Sequence, residues 1–238
     1  MGLDFDRFDQ MRAEGRLLRG QWTGTDAEGR ETACWLAALS AQVATAKVPS
    51  ACPAEDLPQW LAHLVPVLDD RISLGGWGDR AQRFGAALHL TVGWSPQQWR
   101  RREARVMLTI LTEARSHVAA DYGHALAAID GVIVLWPRVA AGDEPGSAEW
   151  AKATAEADAA VAKAAARAVA SPSRAAASSW AAVRAAQRAV AWAAADAAEW
   201  AAGAAARAVE AFSSAAAAAR AAAWDRICDG VIAALEGE

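Results

Sequence analysis

The chain has 238 residues, of which 54% are apolar, and its formal net charge is −4. This apolar content excludes a disordered chain, and the mildly acidic balance argues against a general DNA- or RNA-binding protein, whose domain is usually strongly basic. The length allows one large domain or two small ones. The 12 tryptophans are expected to anchor the packing, because each can bury roughly 200 Å².

The cysteine pattern and the N-terminal sequence favour a protein of the reducing cytoplasm. The three cysteines, Cys34, Cys52 and Cys228, form no CxxC motif, so neither a disulfide framework nor a zinc site is expected. The first ten residues are acidic and lack the basic and apolar regions of a signal peptide. We expect no apolar run as long as the roughly 18 residues that a membrane span needs. We therefore expect a cytoplasmic protein without a membrane partner, cofactor or metal.

The first predicted elements are short helices separated by a polar loop. Phe5, Phe8 and Met11 lie three residues apart, along one face of a first helix. Residues 20–31 are rich in glycine and polar side chains and predict a loop. A helix is expected from about Glu31 to Lys47. We predict no sheet, since no stretch combines β-branched alternation with turn pairs.

Prolines and capping residues define the next helices. One is predicted with Asp56 near its N-cap and Pro58 in its first turn, and Pro66 should kink or end it. A second helix is predicted within the glycine-containing stretch GGWGDRAQRFGAALHL, although the segment SLGGWGDR at its start is expected to be a flexible loop. A third helix starts with Ser95 as N-cap and Pro96 at its first position.

The composition changes near residues 140–150. All four histidines precede this stretch; after it alanine dominates and Pro172 is the only proline. A further helix should end before Pro137. We predict a boundary, of a domain or a subdomain, between an N-terminal helical portion, 1–143, and an alanine-rich helical portion, 144–238.

The alanine-rich portion predicts long helices. One runs from Ser147 to about Val169, and Ser171 and Pro172 begin the next. Beyond Pro172 there is no proline, and one continuous helix would extend about 95 Å at 1.5 Å per residue. A turn is therefore expected between residues 200 and 215, preferably near Gly203.

Charged residues in this portion recur at intervals of eleven, which is almost three helical turns and keeps each series on one face. The series are Lys152, Lys163 and Arg174; Glu156 and Arg167; Arg188, Glu199 and Glu210; and Asp196 and Arg207. Alanine is the best helix former and lets helix axes approach closely. The predicted class is an all-α helical bundle with long, tightly packed, alanine-rich C-terminal helices. Flat alanine faces can also pair two copies of the chain, so a homodimer is possible.

Bulky residues lie on the charged face of the helix predicted after Pro172, which we call the charged stripe. They predict a binding surface. Trp192 falls in the middle of the stripe, between Trp180 and Trp200 at its edges, and near Arg184 and Arg188. Another element can cover Trp192, or Arg188 can stack on it. Alternatively, these five residues form a partner-binding surface, since tryptophan and arginine dominate interface hot spots.

One cysteine offers an enzymatic alternative. The segment EGRETACW resembles QGSCGSCW around the nucleophile of papain-like proteases, with Cys34 and Trp35 at matching places and Glu28 where the oxyanion-hole glutamine stands. A helix start would lower the thiol pKa. The resemblance implies a cysteine hydrolase with His117 or His124 as base. The competing interpretation is a small buried side chain on an apolar helix.

Two further clusters have both a functional and a structural interpretation, and the structural one is favoured for each. His117, Asp121 and His124 can seat a metal only on one continuous helix, which the segment ADYG is expected to break. Four arginines beside Trp99 can contact phosphate or an acidic partner, or they form a solvated helix; they are Arg100, Arg101, Arg102 and Arg105. Nucleic acid is therefore an unfavoured partner.

The last ninety or so residues, which end in AAAWDRICDGVIAALEGE, resemble alanine-rich bacterial and phage proteins, some of which are labelled immunity proteins of the Imm-5-like type. This resemblance implies a small cytoplasmic protein that works by binding another protein. We therefore expect a non-enzymatic immunity protein or inhibitor of a host or defence system that acts by steric docking. The partner is another protein, whose identity the sequence does not give.

Overall fold

A computed structural model describes residues 2–170, 183–184, 186–187 and 217–237. These residues are mostly helical and contain one two-stranded sheet, so the predicted all-α class is confirmed. In chain order the elements are α1 (Phe5–Ala13), β1 (Thr23–Thr25), β2 (Glu31–Ala33), α2 (Trp35–Leu39), α3 (Ala41–Ala46), a 3-10 turn (Pro49–Ala51), α4 (Gln59–Arg71), α5 (Leu74–His89), α6 (Pro96–Ser116), α7 (Gly123–Ile133), α8 (Trp136–Ala141), α9 (Ser147–Ala170) and α10 (Ala217–Glu236).

A β-hairpin replaces the predicted loop and the start of the predicted helix at Glu31. Strands β1 and β2 pair antiparallel, with Thr25 opposite Glu31. The Asp26 carboxylate closes the turn by accepting from the main-chain N–H groups of Glu28 and Arg30, and Gly29 supplies a left-handed residue with φ of 79°. The prediction that the chain has no sheet was therefore wrong.

The helix predicted from Glu31 to Lys47 is two short helices. Cys34 is extended, so α2 begins only at Trp35, and Ser40 is extended again between α2 and α3. The Ser40 hydroxyl then accepts from the Val43 N–H and caps α3. Local side-chain bonding at Ser40 thus competes with a continuous helix.

The starts of α4 and α5 also differ from prediction. Pro58, rather than Asp56, is the N-cap of α4, and the helix continues past Pro66 to Arg71. Residues 73–80, predicted as a flexible loop, contain the first two turns of α5. The glycines there raised the expectation of a loop, but glycine only weakens a helix that packing supports.

The predicted starts of α6 and α9 are confirmed to within a residue. The Ser95 hydroxyl accepts from the Gln98 N–H, and the Gln98 side chain accepts from the Ser95 N–H, which completes a capping box before Pro96. Helix α9 spans Ser147–Ala170. Its charged series faces solvent, and its apolar stripe faces inward; the buried residues are Trp150, Ala153, Ala157, Ala160 and Ala164. Ser171, Pro172 and the turn expected near Gly203 lie outside the described residues.

The segment Gly123–Ala141 corrects our expectation that no run is apolar and long enough to span a membrane. It has 19 residues and a mean hydropathy of 1.3, which suffices by length and composition alone. In the structure it forms α7, which ends before Pro137 as predicted, and then α8. Ile129, Val132 and Trp136 of this segment are buried. Helices α7 and α8 both contact α6, and α7 also contacts α9.

One contiguous core joins the described helices, and tryptophans anchor it as expected. Trp35, Trp136 and Trp224 are fully buried. Helix α10 packs on α4, α5 and α6, and its close approach to α6 needs Gly230, where a Cβ would lie 2.5 Å from Thr109 Cγ2. Helix α10 therefore shares its core with the N-terminal helices. The boundary between 1–143 and 144–238 stays a prediction.

Candidate functional site

The predicted partner-binding surface lies almost wholly outside the described residues. Trp180, Arg188, Trp192 and Trp200 belong to the part of the chain that is not described. Arg184 is half-buried and follows the buried Val183. The surface around Trp192 therefore stays a prediction.

A large apolar hollow lies where α1 begins and α2 ends. Its volume, including the part that is open to solvent, is about 1320 Å³. Three polar residues, Ser40, Gln42 and Thr45, also line it, and its apolar walls come from Leu3, Leu39, Ala41, Ala46, Ala51 and Pro53. Hence no single element forms this hollow; the N-terminal segment, α2, α3 and residues 51–53 contribute together.

Helix α3 forms one wall because its two faces differ. Val43 is fully buried on one face, whereas Ala41, Gln42, Thr45 and Ala46 are exposed on the other face and line the hollow. The N-terminal segment forms the opposite wall because the main-chain N–H of Asp4 donates to the Leu39 carbonyl at 2.8 Å. Both walls are therefore held by the fold.

A second hollow of about 790 Å³ adjoins the first. The two share Gly2, Leu3 and Asp56 as lining residues. Aromatic and apolar residues line the second hollow, namely Phe5, Val92, Trp94 and Trp99. Val92 is 70% exposed. We call the two hollows together the N-terminal groove.

Carboxylates surround the groove. Asp4 and Asp56 line the first hollow, and Glu55 and Asp56 line the second. The Asp4 carboxylate caps α1 by accepting from the Arg7 N–H at 2.9 Å. Within the described part of the chain these three carboxylates form no ion pair, and no lysine or arginine lines either hollow. The groove is thus apolar inside and negatively charged at its edge.

Cys34 lies in a different place, a cleft of about 340 Å³ lined by Gly20, Trp22, Pro66, Asp69 and Asp70. The thiol is only 4% exposed. Burial raises its pKa to about 11, with Asp69 and Asp70 adding to the rise, although the main-chain amides of Ala37 and Leu36 oppose it. The helix-start effect expected from the sequence therefore exists, but desolvation outweighs it.

Asp69 is the one fully buried carboxylate among the described residues. Its side chain accepts from Trp77 Nε1 at 2.7 Å and from the Trp35 N–H at 3.3 Å. Burial raises its pKa from 3.8 to about 7, although the bond from Trp77 opposes the rise. Asp69 was not among the residues predicted from the sequence. Its spacing, four residues after Val65 and eight after Leu61 on the buried face of α4, was a usable signal.

The histidines proposed as bases do not line the cleft of Cys34 in the described structure. His117 Nε2 lies 2.9 Å from Glu113 Oε1, and Glu113 also accepts from Arg226. The segment between His117 and His124 interrupts the helix, as predicted. Among the described residues, no three His, Cys, Asp or Glu side chains group as metal ligands do.

The arginine cluster of α6 is largely engaged within the fold. Arg100 pairs with Glu103 at 3.1 Å and with Glu144 at 2.7 Å. Arg102 stacks over Trp94, 5.2 Å from the ring centre, and Arg105 donates to a main-chain carbonyl near the C-terminal end of α10. Of the four arginines, only Arg101 is exposed. This arrangement favours a structural role for these arginines over phosphate binding.

The N-terminal groove and the cleft at Cys34 are thus the two candidate sites of the described structure. The groove offers apolar walls and negative charge for binding, and the cleft offers a thiol and a carboxyl group, both buried. Comparisons with protein-family models, with curated proteins and with solved structures found no match for this chain.

Proposed function

We propose that this chain is a non-enzymatic binding protein that docks on another protein and blocks it sterically. The observation that carries the proposal is the N-terminal groove, an open apolar hollow on the surface of a helical protein. Contiguous exposed apolar surface on a monomer marks interaction sites. The resemblance of the alanine-rich segment favours an immunity protein or an inhibitor of a host or defence system, of bacterial or phage origin and acting in the cytoplasm.

The open shape of the groove supports a protein rather than a small molecule as ligand. Its two hollows are open to solvent and share Gly2, Leu3 and Asp56, whereas a pocket for a small ligand encloses most of the surface of that ligand. Its walls are α-helices and a 3-10 turn tied together by main-chain hydrogen bonds. Walls that are already ordered lose little conformational entropy when a partner binds.

The test is affinity capture from the organism that encodes the chain, with a variant that fills the groove. Ala46→Trp places an indole in the first hollow from an exposed helix position. Ala151→Trp, at an exposed position near the start of α9, is the matched control. We expect the wild-type chain and Ala151→Trp to retain a partner, which is then purified and titrated by calorimetry. Ala46→Trp should weaken that titrated affinity at least about tenfold.

Two other results separate the alternatives. If Ala46→Trp binds the purified partner as well as wild type does, the groove is not the docking surface; Trp192→Ala then tests the surface predicted from the sequence. If no protein is enriched by the correctly folded wild-type chain, the proposed function is wrong. Circular dichroism spectra of every variant check that the helices are retained.

A further inference from the structure

The two hollows of the N-terminal groove require a partner with several apolar side chains on one face. The first hollow presents Leu3, Ala46 and Pro53, and the second presents Val92 and Trp94. They meet at Leu3, so a single segment can cross both. An amphipathic helix presents side chains in this way, through positions i, i+3, i+4 and i+7.

The main chain of the groove walls favours a helical partner over an extended one. The Leu39 carbonyl accepts from the Asp4 N–H, the Ser40 carbonyl accepts from the Ala44 N–H, and the Pro53 carbonyl accepts from the Asp56 N–H. Because these three carbonyls already have donors, an extended segment would gain little from pairing with them. A helix satisfies its own main-chain groups internally and needs no such pairing.

The charge at the edge of the groove selects a basic partner. The carboxylates of Asp4, Glu55 and Asp56 form no ion pair with the described residues. Lysine or arginine side chains that flank the apolar face of a helix would meet these carboxylates. Such edge contacts contribute mainly to association rate and to selection against acidic partners.

Resting on the proposed function, we infer that the N-terminal groove binds a basic amphipathic α-helix of the partner protein. The apolar face of that helix occupies both hollows, and its cationic flanks face Asp4, Glu55 and Asp56. The partner is thereby defined by chemistry: a helical segment with leucine-like side chains on one face and lysine or arginine beside them.

The test uses a synthetic probe and the full chain. The probe is a fluorescein-labelled 14-residue peptide of leucine and lysine, with leucine at positions i, i+3, i+4 and i+7. One control peptide replaces lysine by glutamate, and another has the same composition in an order that gives no apolar face. Fluorescence anisotropy titrations at about 150 mM salt should show binding of the first peptide. Both controls should bind at least about tenfold more weakly.

Matched variants locate the binding to the groove. Ala46→Trp should weaken binding of the lysine peptide at least about tenfold, whereas Ala151→Trp should not change it. The double variant Glu55→Gln, Asp56→Asn should weaken it about three- to tenfold. Asp79→Asn is the charge control: it removes an exposed carboxylate of α5 that does not line the groove, and it should leave the affinity unchanged.

The outcomes separate this inference from the proposed function. Equal affinity for the glutamate peptide, or an unchanged affinity in Ala46→Trp, overturns the inference. If the captured native partner depends on Ala46 but the lysine peptide does not bind, the inference fails and the proposed function stands. If the peptide binds with the expected pattern of variants but no native partner is captured, the proposed function fails and the preference of the groove for basic helices stands.

Discussion

The two ends of the short helix α2 open on two different environments. Cys34, directly before its first residue, lies in a small cleft beside Asp69 and Asp70. Leu39, its last residue, lines a hollow about four times as large, whose walls are apolar. The cleft therefore contains groups capable of chemistry, and the groove contains the surface capable of binding.

The comparison shows that burial decides what each place can do. In the cleft, desolvation raises the pKa of the Cys34 thiol to about 11 and that of Asp69 to about 7, so both groups are held toward their neutral forms. At the groove, Asp4 and Glu55 are exposed and their formal charges are available to a partner. The cleft thus suits a structural role, and the groove suits recognition.

Truncating a core side chain of α2, the helix that connects the two places, should have the largest effect. Trp35 is fully buried in α2 and stacks on Phe84, with ring centres 5.4 Å apart. Trp35→Ala should lower the free energy of unfolding by about 3–5 kcal/mol, measured by urea denaturation. Trp22→Ala, at a half-buried position of the cleft, should cost less than half as much. Equal losses in the two variants would contradict the assignment of Trp35 as an anchor of the core.

Raising the pH should weaken the protein through the buried carboxyl group of the cleft. Because the pKa of Asp69 is about 7 when folded and 3.8 ordinarily, its stabilising contribution is complete below pH 3.8 and is lost as the pH rises through 7. From pH 5 to pH 8 the wild-type chain should lose roughly 2–3 kcal/mol relative to Asp69→Asn. Urea denaturation at several pH values measures this difference.

The exposed neighbour Asp70 provides the control for that measurement. Asp70→Asn retains an oxygen to accept from the Gly20 N–H. It should keep most of the pH dependence of the wild-type chain, because burial is the main cause of the raised pKa of Asp69 and the charge of Asp70 adds only a smaller part. If Asp69→Asn and the wild-type chain respond identically between pH 5 and pH 8, Asp69 is not held protonated in the folded protein.

The thiols of the native protein should react slowly. Burial raises the pKa of Cys34 to about 11 and those of Cys52 and Cys228 to about 12. At pH 7.5, iodoacetamide should therefore label the native chain at least about a hundredfold more slowly than a free thiol, as followed by mass spectrometry. The urea-unfolded chain should label fully. Rapid native labelling at Cys34 would instead support the cysteine-hydrolase alternative.

The smallest effect on stability is expected at the edge of the groove. Glu55→Gln with Asp56→Asn should change the free energy of unfolding by less than about 0.5 kcal/mol, because neither side chain forms an ion pair within the described structure. The same double variant should still weaken binding of the basic peptide. A large loss of stability would show that these carboxylates serve the fold rather than a partner.

Local signals in the sequence predicted some elements and missed others. Ser95 and Pro96 predicted the start of α6, because a helix cap is a local interaction; the structure adds Gln98 as the partner of Ser95 in a capping box. The β-hairpin was missed because its strands have three residues each, too few for an alternating pattern. The break at Ser40 was missed because its capping bond competes with a helix that composition alone favours.

The candidate sites were less predictable than the helices. The sequence drew attention to Cys34 and correctly offered a buried side chain as one interpretation, but the weight of desolvation emerged only when Asp69 and Trp22 were placed beside it. The groove could not be predicted, since its walls come from segments between Leu3 and Trp99 that are distant along the chain.

By itself, the sequence determined the all-α class, the N-cap of α6 and the charged outer face of α9. Those features depend on interactions between residues that are at most a few turns apart. Only the tertiary structure decided that Asp69 is buried, that the Cys34 thiol is hard to ionise, and that an apolar groove opens beside α3. These properties depend on which distant segments exclude water from a given side chain, and spacing along one helix does not specify that.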